Sequence, residues 1–446
     1  AIRVPRQYFS LWGTDVDWQY VSTPQPGTAG RTHLMPRGRV LGGTSSLNGM
    51  VYLRGAASDY DRWAQTGCAD WGWESVRQAF EKLEEWLRPA VLNPHNPLMD
   101  VMVAAANEAG FPYNPSFDSG TLDGVGWNKS TIAEGARLNA YRAFLAPVLD
   151  RPNLQVWPNH RVLRIVMEDA RAQGVAIQLE DGSLDTIAAN EVILSAGAFD
   201  SPRLLMLSGI GPAAQLERLG IVAVADLPVG ENLIDHLLIG IVYNSHQPIS
   251  DCNGYATEAC AFARSGAHGD DCDIQISFAK EPHFAPEAND GKPRFTIIPG
   301  ITRPKSRGTV RLTAADPDAP LEIDPRYFSH PDDMATMIEA VRLSRTIGEQ
   351  AALADWNAGE YFPGPGVSTD DEIAAYVERD VSTWFHPVGT CRMGAGADAV
   401  VDPELRVHGV AGLRVADASI MPDIVSVNTN AAATVIGWKA GDHILS

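Results

Sequence analysis

Short apolar runs that end in small residues, rather than long amphipathic stretches, set the pattern of this chain. The run Glu191-Val192-Ile193-Leu194-Ser195-Ala196-Gly197 predicts a buried strand closing in a tight turn, and Ser201 to Leu207 predicts a short helix after it. A strand, a turn and a helix in that order favour a parallel sheet. Near the end, Leu413 to Asp417 predicts another short strand, and the alanine-rich Ala431 to Ile444 predicts a closing helix. The middle follows a different period. Thr309-Val310-Arg311-Leu312-Thr313 alternates as a half-exposed antiparallel strand does, ahead of the turn-forming Ala315-Asp316-Pro317-Asp318. Ser329, Pro331 and Asp332 form a helix-start signal, and Met334, Met337, Ile338, Val341, Leu343 and Ile347 extend it into a packing helix of about four turns. No internal repeat or low-complexity tract interrupts the chain.

At 446 residues the chain exceeds one ordinary domain, so two lobes sharing segments are expected, and a hydrophobic content of 45% supplies their cores. The overall class is α/β, or α+β taken as a whole. Against 35 Lys plus Arg stand 55 Asp plus Glu, a formal net charge of −20, which argues against nucleic acid and anionic membranes as partners. No apolar run of about 18 residues predicts a membrane span, and no secretory signal opens the sequence. Cys68, Cys252, Cys260, Cys272 and Cys391 form no Cys-x-x-Cys pair, and their odd number fits reduced thiols and a cytoplasmic setting better than a disulfide framework. The eleven histidines lack zinc-site spacing, so no metal is expected. A sequon at Asn128 to Ser130 is read as a chance match.

Candidate chemistry begins at Gly38-Arg39-Val40-Leu41-Gly42-Gly43-Thr44-Ser45-Ser46-Leu47-Asn48, where paired glycines and small hydroxyl residues let backbone amides approach a ligand closely. Alone, this is as consistent with an ordinary glycine turn. Four further segments follow: Gly197-Ala198-Phe199-Asp200-Ser201-Pro202 through Gly211, Val229-Gly230-Glu231-Asn232-Leu233-Ile234-Asp235-His236, Phe385-His386-Pro387 through Gly394, and Val415-Ala416-Asp417 through Pro422 leading into Asn428-Thr429-Asn430-Ala431. In this order they resemble the signature segments of the glucose–methanol–choline (GMC) oxidoreductases.

The resemblance implies oxidation of a primary alcohol through bound FAD. It places His386 at the general-base position, where an imidazole titrating near neutrality takes the hydroxyl proton, and Asn428 as a donor to the developing alkoxide. It sets Gly42, Gly43 and Asn48 along the isoalloxazine and ribityl chain, Asp417 near the ribityl and pyrophosphate, and Val162, Ala196 and Gly197 near adenosine. Asn430 and Ala431 open a helix whose N-terminus suits negative charge on the reduced ring. Leu47 stands where covalently flavinylated members commonly carry His, which implies non-covalent FAD. Trp384 and Phe385 beside the base suggest stacking on an aromatic or furanic alcohol, as in aryl-alcohol, pyridoxine and hydroxymethylfurfural oxidases, with oxygen or a quinone as electron acceptor. The alternatives are a hydroxynitrile lyase and a flavin-free homologue on the same fold.

Two departures accompany the resemblance. The Gly-x-Gly-x-x-Gly unit that opens the family is absent from this sequence, and the chain passes from Leu87 through Arg88-Pro89-Ala90 directly toward a helix, without the family's intervening loop. These suggest a longer protein whose dinucleotide-binding start is not included, in an apo, inactive form. The expected architecture is a Rossmann-like FAD lobe with a parallel sheet, from residues 1–69, 153–241 and 391–446. The expected substrate lobe, from residues 70–152 and 242–390, has a mostly antiparallel sheet and flanking helices. Oligomeric state is left open.

Overall fold

A computed structural model describes residues 1–250, 255, 257–283, 285 and 288–445, so the expectation for Cys252 lies outside the described residues. The apolar run at 191–197 becomes the strand Val192–Leu194, and it pairs in parallel with Leu413–Val415. The eight α-helices among the described residues are α1 (Ala57–Gln65), α2 (Trp73–Leu87), α3 (Pro97–Glu108), α4 (Gly197–Leu207), α5 (Ala213–Arg218), α6 (Pro331–Gly348), α7 (Asp370–Asp380) and α8 (Asn430–Leu445).

Helix α4 starts four residues before the expected Ser201 because its cap comes from far along the chain. The Asp417 carboxylate accepts from the Gly197 N–H at 2.8 Å and from the Ser201 hydroxyl at 2.5 Å. Gly197 supplies the left-handed turn into the helix, at φ +85°. Helix α8 extends one residue beyond expectation at each end. Helix α6 has 18 residues, about five turns rather than four. Its N-cap is His330 instead of the expected Ser329: the imidazole Nδ1 accepts from the Asp332 N–H at 3.3 Å, with Pro331 at the first helical position. After Leu87 the chain does not run straight into a helix. Ala90–Val91 first pairs with Lys129–Ser130, and α3 then begins behind Asn96, whose side chain accepts from Leu98 N–H.

The alternating segment forms the strand Thr309–Leu312, antiparallel to Leu321–Asp324 across the expected turn. A larger antiparallel sheet of eight strands runs in the order Asn357–Phe362, Ile241–Ser245, Arg294–Ile301, Ile274–Ala279, Ala259–Ala263, Gly124–Trp127, with Leu237–Leu238 and Ser382–Thr383 at its side. One face packs Ile276, Phe278 and Ile297 into a core with Met337 and Val341 of α6. The other turns Leu238 and Ile298 toward Trp384. A separate antiparallel sheet joins Arg161–Glu168, Arg171–Gln178 and Leu184–Ala188.

Apolar burial divides into two main cores. One gathers Val192, Leu194, Val415, Ile436 and the α2 residues Phe80 and Leu83; the other gathers α3, the large sheet and α6. Residues 70–152 thus contribute α2 to the first core and α3 to the second. Asn128 of the sequon is 2% exposed, donates to the Thr257 carbonyl and accepts from the Cys260 thiol, so no glycan fits there. Among the described residues no helix is long and apolar enough to cross a membrane, and no group of three or more potential ligands is placed to hold a metal.

Candidate active site

Between the first core and the sheet face that carries Leu238 and Ile298 lies a cavity of about 1680 Å³. Its wall includes Gly42, Gly43, Asn48, Val162, Ala196, Gly197, Asp417 and Asn430, together with Trp384, Phe385, His386 and Asn428. Chain segments separated by more than 300 residues therefore meet in one space. Ala431 is the exception among the expected residues: it is fully buried in the first core. Helical geometry explains this. The positions of α8 that face the cavity are Asn430, Ala433, Thr434, Gly437 and Trp438, which recur at spacings of three and four, and residue 431 is rotated about 100° from 430.

The glycine pair is shaped for close approach. Gly42 (φ +92°) has no room for a Cβ, which would lie 2.8 Å from Ser46 Oγ, whereas Gly43 (φ +52°) opens onto empty space. The loop behind them is held by Arg137, a buried guanidinium that donates to Ser45 O at 3.1 Å and Asn48 Oδ1 at 2.7 Å. On the opposite wall Asp417 caps α4 and also accepts from Ser419 N–H at 2.8 Å.

His386 is the centre of the polar end. Its Nε2 is 3.3 Å from Asn428 Nδ2, its Nδ1 is 3.0 Å from His236 Nδ1, and its backbone N–H donates to Asp235 Oδ1 at 2.8 Å. Asp235 Oδ2 accepts from the hydroxyls of Tyr327 and Thr383, and Arg37 Nη2 donates to the Phe385 carbonyl. These bonds hold Phe385 at φ +65°, a left-handed conformation unusual for an aromatic residue, which turns the following imidazole into the cavity. Trp384 lies nearly parallel to the imidazole, with ring centroids 5.9 Å apart and planes at 18°. Gly300 makes room for that indole, since a Cβ there would overlap it.

Burial dominates the electrostatics. It pushes His386 well below the ordinary imidazole range, helped by the charge of Arg37, and draws His236 down to about 4. Both rings are thus neutral at pH 7. Burial likewise lowers Arg37 to about 10 and raises Asp235 against the hydrogen bonds that favour its charge.

Sequence reasoning paired His386 with Asn428, 42 positions apart, but gave no role to His236, Asp235, Arg37 or Thr302, whose carbonyl lies 2.9 Å from His236 Nε2. Asp235 and His236 ended a quoted segment, and that placement was the available signal. The aromatic cluster of Tyr8, Phe9 and Trp12, which brings Trp12 to 4.6 Å from Phe385, was also unread. Away from the cavity, buried Asp59 of α1 accepts from Ser426 N–H (2.9 Å) and Oγ (2.7 Å) and pairs with Arg303 at 2.8 Å.

Two family models, both described as GMC oxidoreductase, match this chain at residues 20–238 and 304–437. The chain is a GMC oxidoreductase. It is 41% identical over 475 aligned residues to an oxygen-dependent choline dehydrogenase of Brucella suis, covering 96% of this chain and 85% of that protein. Its fold is similar to pyridoxine 4-oxidase from Mesorbium loti, with a TM-score of 0.92 and 32% identity over 99% of this chain and 91% of that one. It is also similar to a fungal aryl-alcohol oxidase, with a TM-score of 0.83 and 25% identity over 96% and 89% of the two chains. This GMC oxidoreductase is accordingly an FAD-dependent alcohol oxidoreductase with a mixed helix and sheet fold. The cavity suits that cofactor. Positive-φ Gly43 and Gly197 leave open space for a ligand's approach, and Asn428 Oδ1 is buried without a hydrogen-bond partner, an arrangement that a bound polar group completes.

Proposed function

We propose that this GMC oxidoreductase oxidises a neutral primary alcohol bearing an aromatic or heteroaromatic ring to its aldehyde, with His386 as general base and Asn428 as its partner. The observation that carries the reading is a neutral imidazole whose Nε2 meets Asn428 Nδ2 on the cavity wall, beneath a nearly parallel indole. His386 Nε2 takes the hydroxyl proton. Asn428, neither acid nor base at this pH, uses its amide hydrogens to orient the oxygen and stabilise its growing negative charge. Trp384, Leu238 and Ile298 form an apolar wall that excludes water from the reacting carbon. Bound flavin supplies the two-electron acceptor for the hydrogen leaving that carbon. Gly42, Gly43, Asn48, Val162, Ala196, Gly197, Asp417 and Asn430 are the residues that would hold it, and Leu47 ahead of Asn48 supports non-covalent attachment. Oxygen or a quinone completes the cycle.

Choline is the second reading, favoured by the Brucella relatives and by the aromatic faces of Tyr8, Phe9, Trp12 and Phe385, which also suit a quaternary ammonium. Lining carboxylates weigh against it: Asp200 is paired with Arg203, and Asp417 is engaged by Gly197, Ser201 and Ser419. Glu180 lines the cavity from the Arg161–Gln178 side, in the region assigned to adenosine. The two cores support a division into flavin and substrate lobes, with α2 belonging to the flavin side. Buried free thiols at Cys68, Cys260, Cys272 and Cys391 support a cytoplasmic setting.

The test is a panel of benzylic, pyridyl and furanic alcohols and choline, assayed on FAD-loaded protein with and without oxygen. Aromatic alcohols should give the higher kcat/KM, and His386→Ala should lower it by about 10²- to 10⁴-fold. Preference for choline would overturn the substrate reading, and parental rates in the variant would overturn the base. Acid precipitation should leave the yellow colour in the supernatant; colour in the pellet would refute non-covalent binding.

A further inference from the structure

The two buried imidazoles fix each other's protons. The Thr302 backbone carbonyl only accepts hydrogen bonds, and it lies 2.9 Å from His236 Nε2, so that nitrogen carries the hydrogen. His236 is fully buried and neutral, which leaves a bare lone pair on its Nδ1. That lone pair faces His386 Nδ1 at 3.0 Å, with the ring planes at 87°. Only an N–H satisfies such a contact. A neutral His386 with its hydrogen on Nδ1 has its lone pair on Nε2, where the Asn428 amide donates at 3.3 Å.

We propose that His236 is a positioning residue that commits His386 to the Nδ1–H tautomer, so that Nε2 meets the substrate hydroxyl already bare. The proposal rests on the reading of His386 as the base. In the opposite tautomer two lone pairs would oppose each other at 3.0 Å, too close for a water to lie between them, which is the costly case of unsatisfied buried polar groups. Protonation is compatible with the same geometry: after Nε2 takes the hydroxyl proton, Nδ1–H still donates to His236. The chain of bonds ends on backbone carbonyls, that of Thr302 with that of Val425 also beside the His236 ring, which have no site for a proton. The proton taken up therefore leaves His386 by the cavity side.

The groups facing the His386 ring are Arg37, whose charge opposes its protonation, neutral His236, whose lone pair accepts from its Nδ1–H, Asp235, which binds its backbone N–H, neutral Asn428 and the Trp384 indole. Two variants separate acceptor from bulk. In His236→Asn the amide oxygen takes the place of Nδ1 and keeps an acceptor for His386; in His236→Leu the acceptor is gone. The direct readout is nitrogen NMR of FAD-loaded protein labelled with ¹⁵N-histidine, with the His386 signals assigned from their loss in His386→Asn. The parent and His236→Asn should show the Nδ1–H tautomer, and His236→Leu a shift toward Nε2–H. In steady state, His236→Leu should lose between about 10- and 1,000-fold in kcat/KM, mainly in kcat, as a base held in the wrong tautomer does. Its acid limb should move to lower pH, because the protonated ring loses the acceptor for its Nδ1–H, while His236→Asn stays within about tenfold of the parent with an unmoved limb.

Hydrogen on Nε2 of the parent would overturn the proposal, as would His236→Leu with the parental tautomer and acid limb. If His236→Leu does not fold, the parent and His236→Asn spectra decide. A failed base assignment is distinguishable, because His386→Ala would then keep its activity whatever tautomer the parent showed.

Discussion

Gly300 sits on the strand Arg294–Ile301 opposite Leu238, directly beneath the Trp384 indole. Substituting alanine would place a Cβ 2.6 Å from the Leu237 carbonyl oxygen and 2.8 Å from Trp384 Cε3, with Cζ3 nearer still. Relaxed contacts between such atoms lie at about 3.5–4.0 Å, so the backbone or the indole must move by roughly 1 Å. Leu237 is held in the sheet on both sides, by Ile301 and Thr383, whereas the indole borders the cavity. The indole is therefore what moves. Overpacking of this kind costs about 1–3 kcal/mol, which in a chain of 446 residues lowers Tm by only about 1–3 °C. The catalytic consequence is larger. Trp384 and His386 are separated by one residue with a left-handed backbone, and a 1 Å misplacement of a reacting group costs on the order of 10²-fold in rate. Gly300→Ala should accordingly lose about 10- to 100-fold in kcat/KM on an aromatic alcohol with its thermal transition nearly unchanged. Gly366→Ala, whose Cβ meets nothing within 4 Å, is the matched control. Parental kinetics in Gly300→Ala would show that the indole does not set the geometry of the base.

Stability should fall as pH drops. Burial draws His33, His236 and His283 from 6.5 to about 4 in the folded protein, so below pH 6.5 the unfolded chain takes up protons that the folded one refuses. Stability present above pH 6.5 is lost progressively down to about 4, by as much as about 3 kcal/mol per ring. Denaturant titrations between pH 7 and 4.5 check this, and a flat profile would contradict it. Asp235 acts in the opposite sense, since burial raises its folded value and its ionisation weakens the fold as pH rises. Asp417→Ala removes the cap of α4 and should cost about 0.5–2 kcal/mol, with weaker FAD binding read from flavin fluorescence titration. Unchanged affinity would separate Asp417 from the cofactor.

Elements that owe their form to neighbours in sequence were legible. Val310 and Leu312 share the buried face that the apolar alternation marks, although Thr309 on the other face is buried too, and α6 and α8 follow their apolar periods. Boundaries set at long range were not. The start of α4 depends on a carboxylate 220 positions away, and no local signal announces it. Likewise His386 and Asn428 were read from motifs, while the partners that decide the state of the imidazole were hidden by type. Thr302 acts through its main chain, which the sequence does not distinguish, and Tyr8, Phe9 and Trp12 read as plain apolar residues until folding brings Trp12 against Phe385. Ala431 was misplaced because adjacency in a motif does not imply a shared helix face.

Asp59 gives an outer helix a hold on the chemistry. Arg303, its ion-pair partner, directly follows Thr302, and Ser426, its hydrogen-bond partner, lies two residues before Asn428. One carboxylate thus tethers the backbone behind both nitrogens of the His386 ring, and any drift of α1 is transmitted to the two ends in concert. Substitutions along α1 can retune the alignment of the imidazole while every residue that meets the alcohol stays the same.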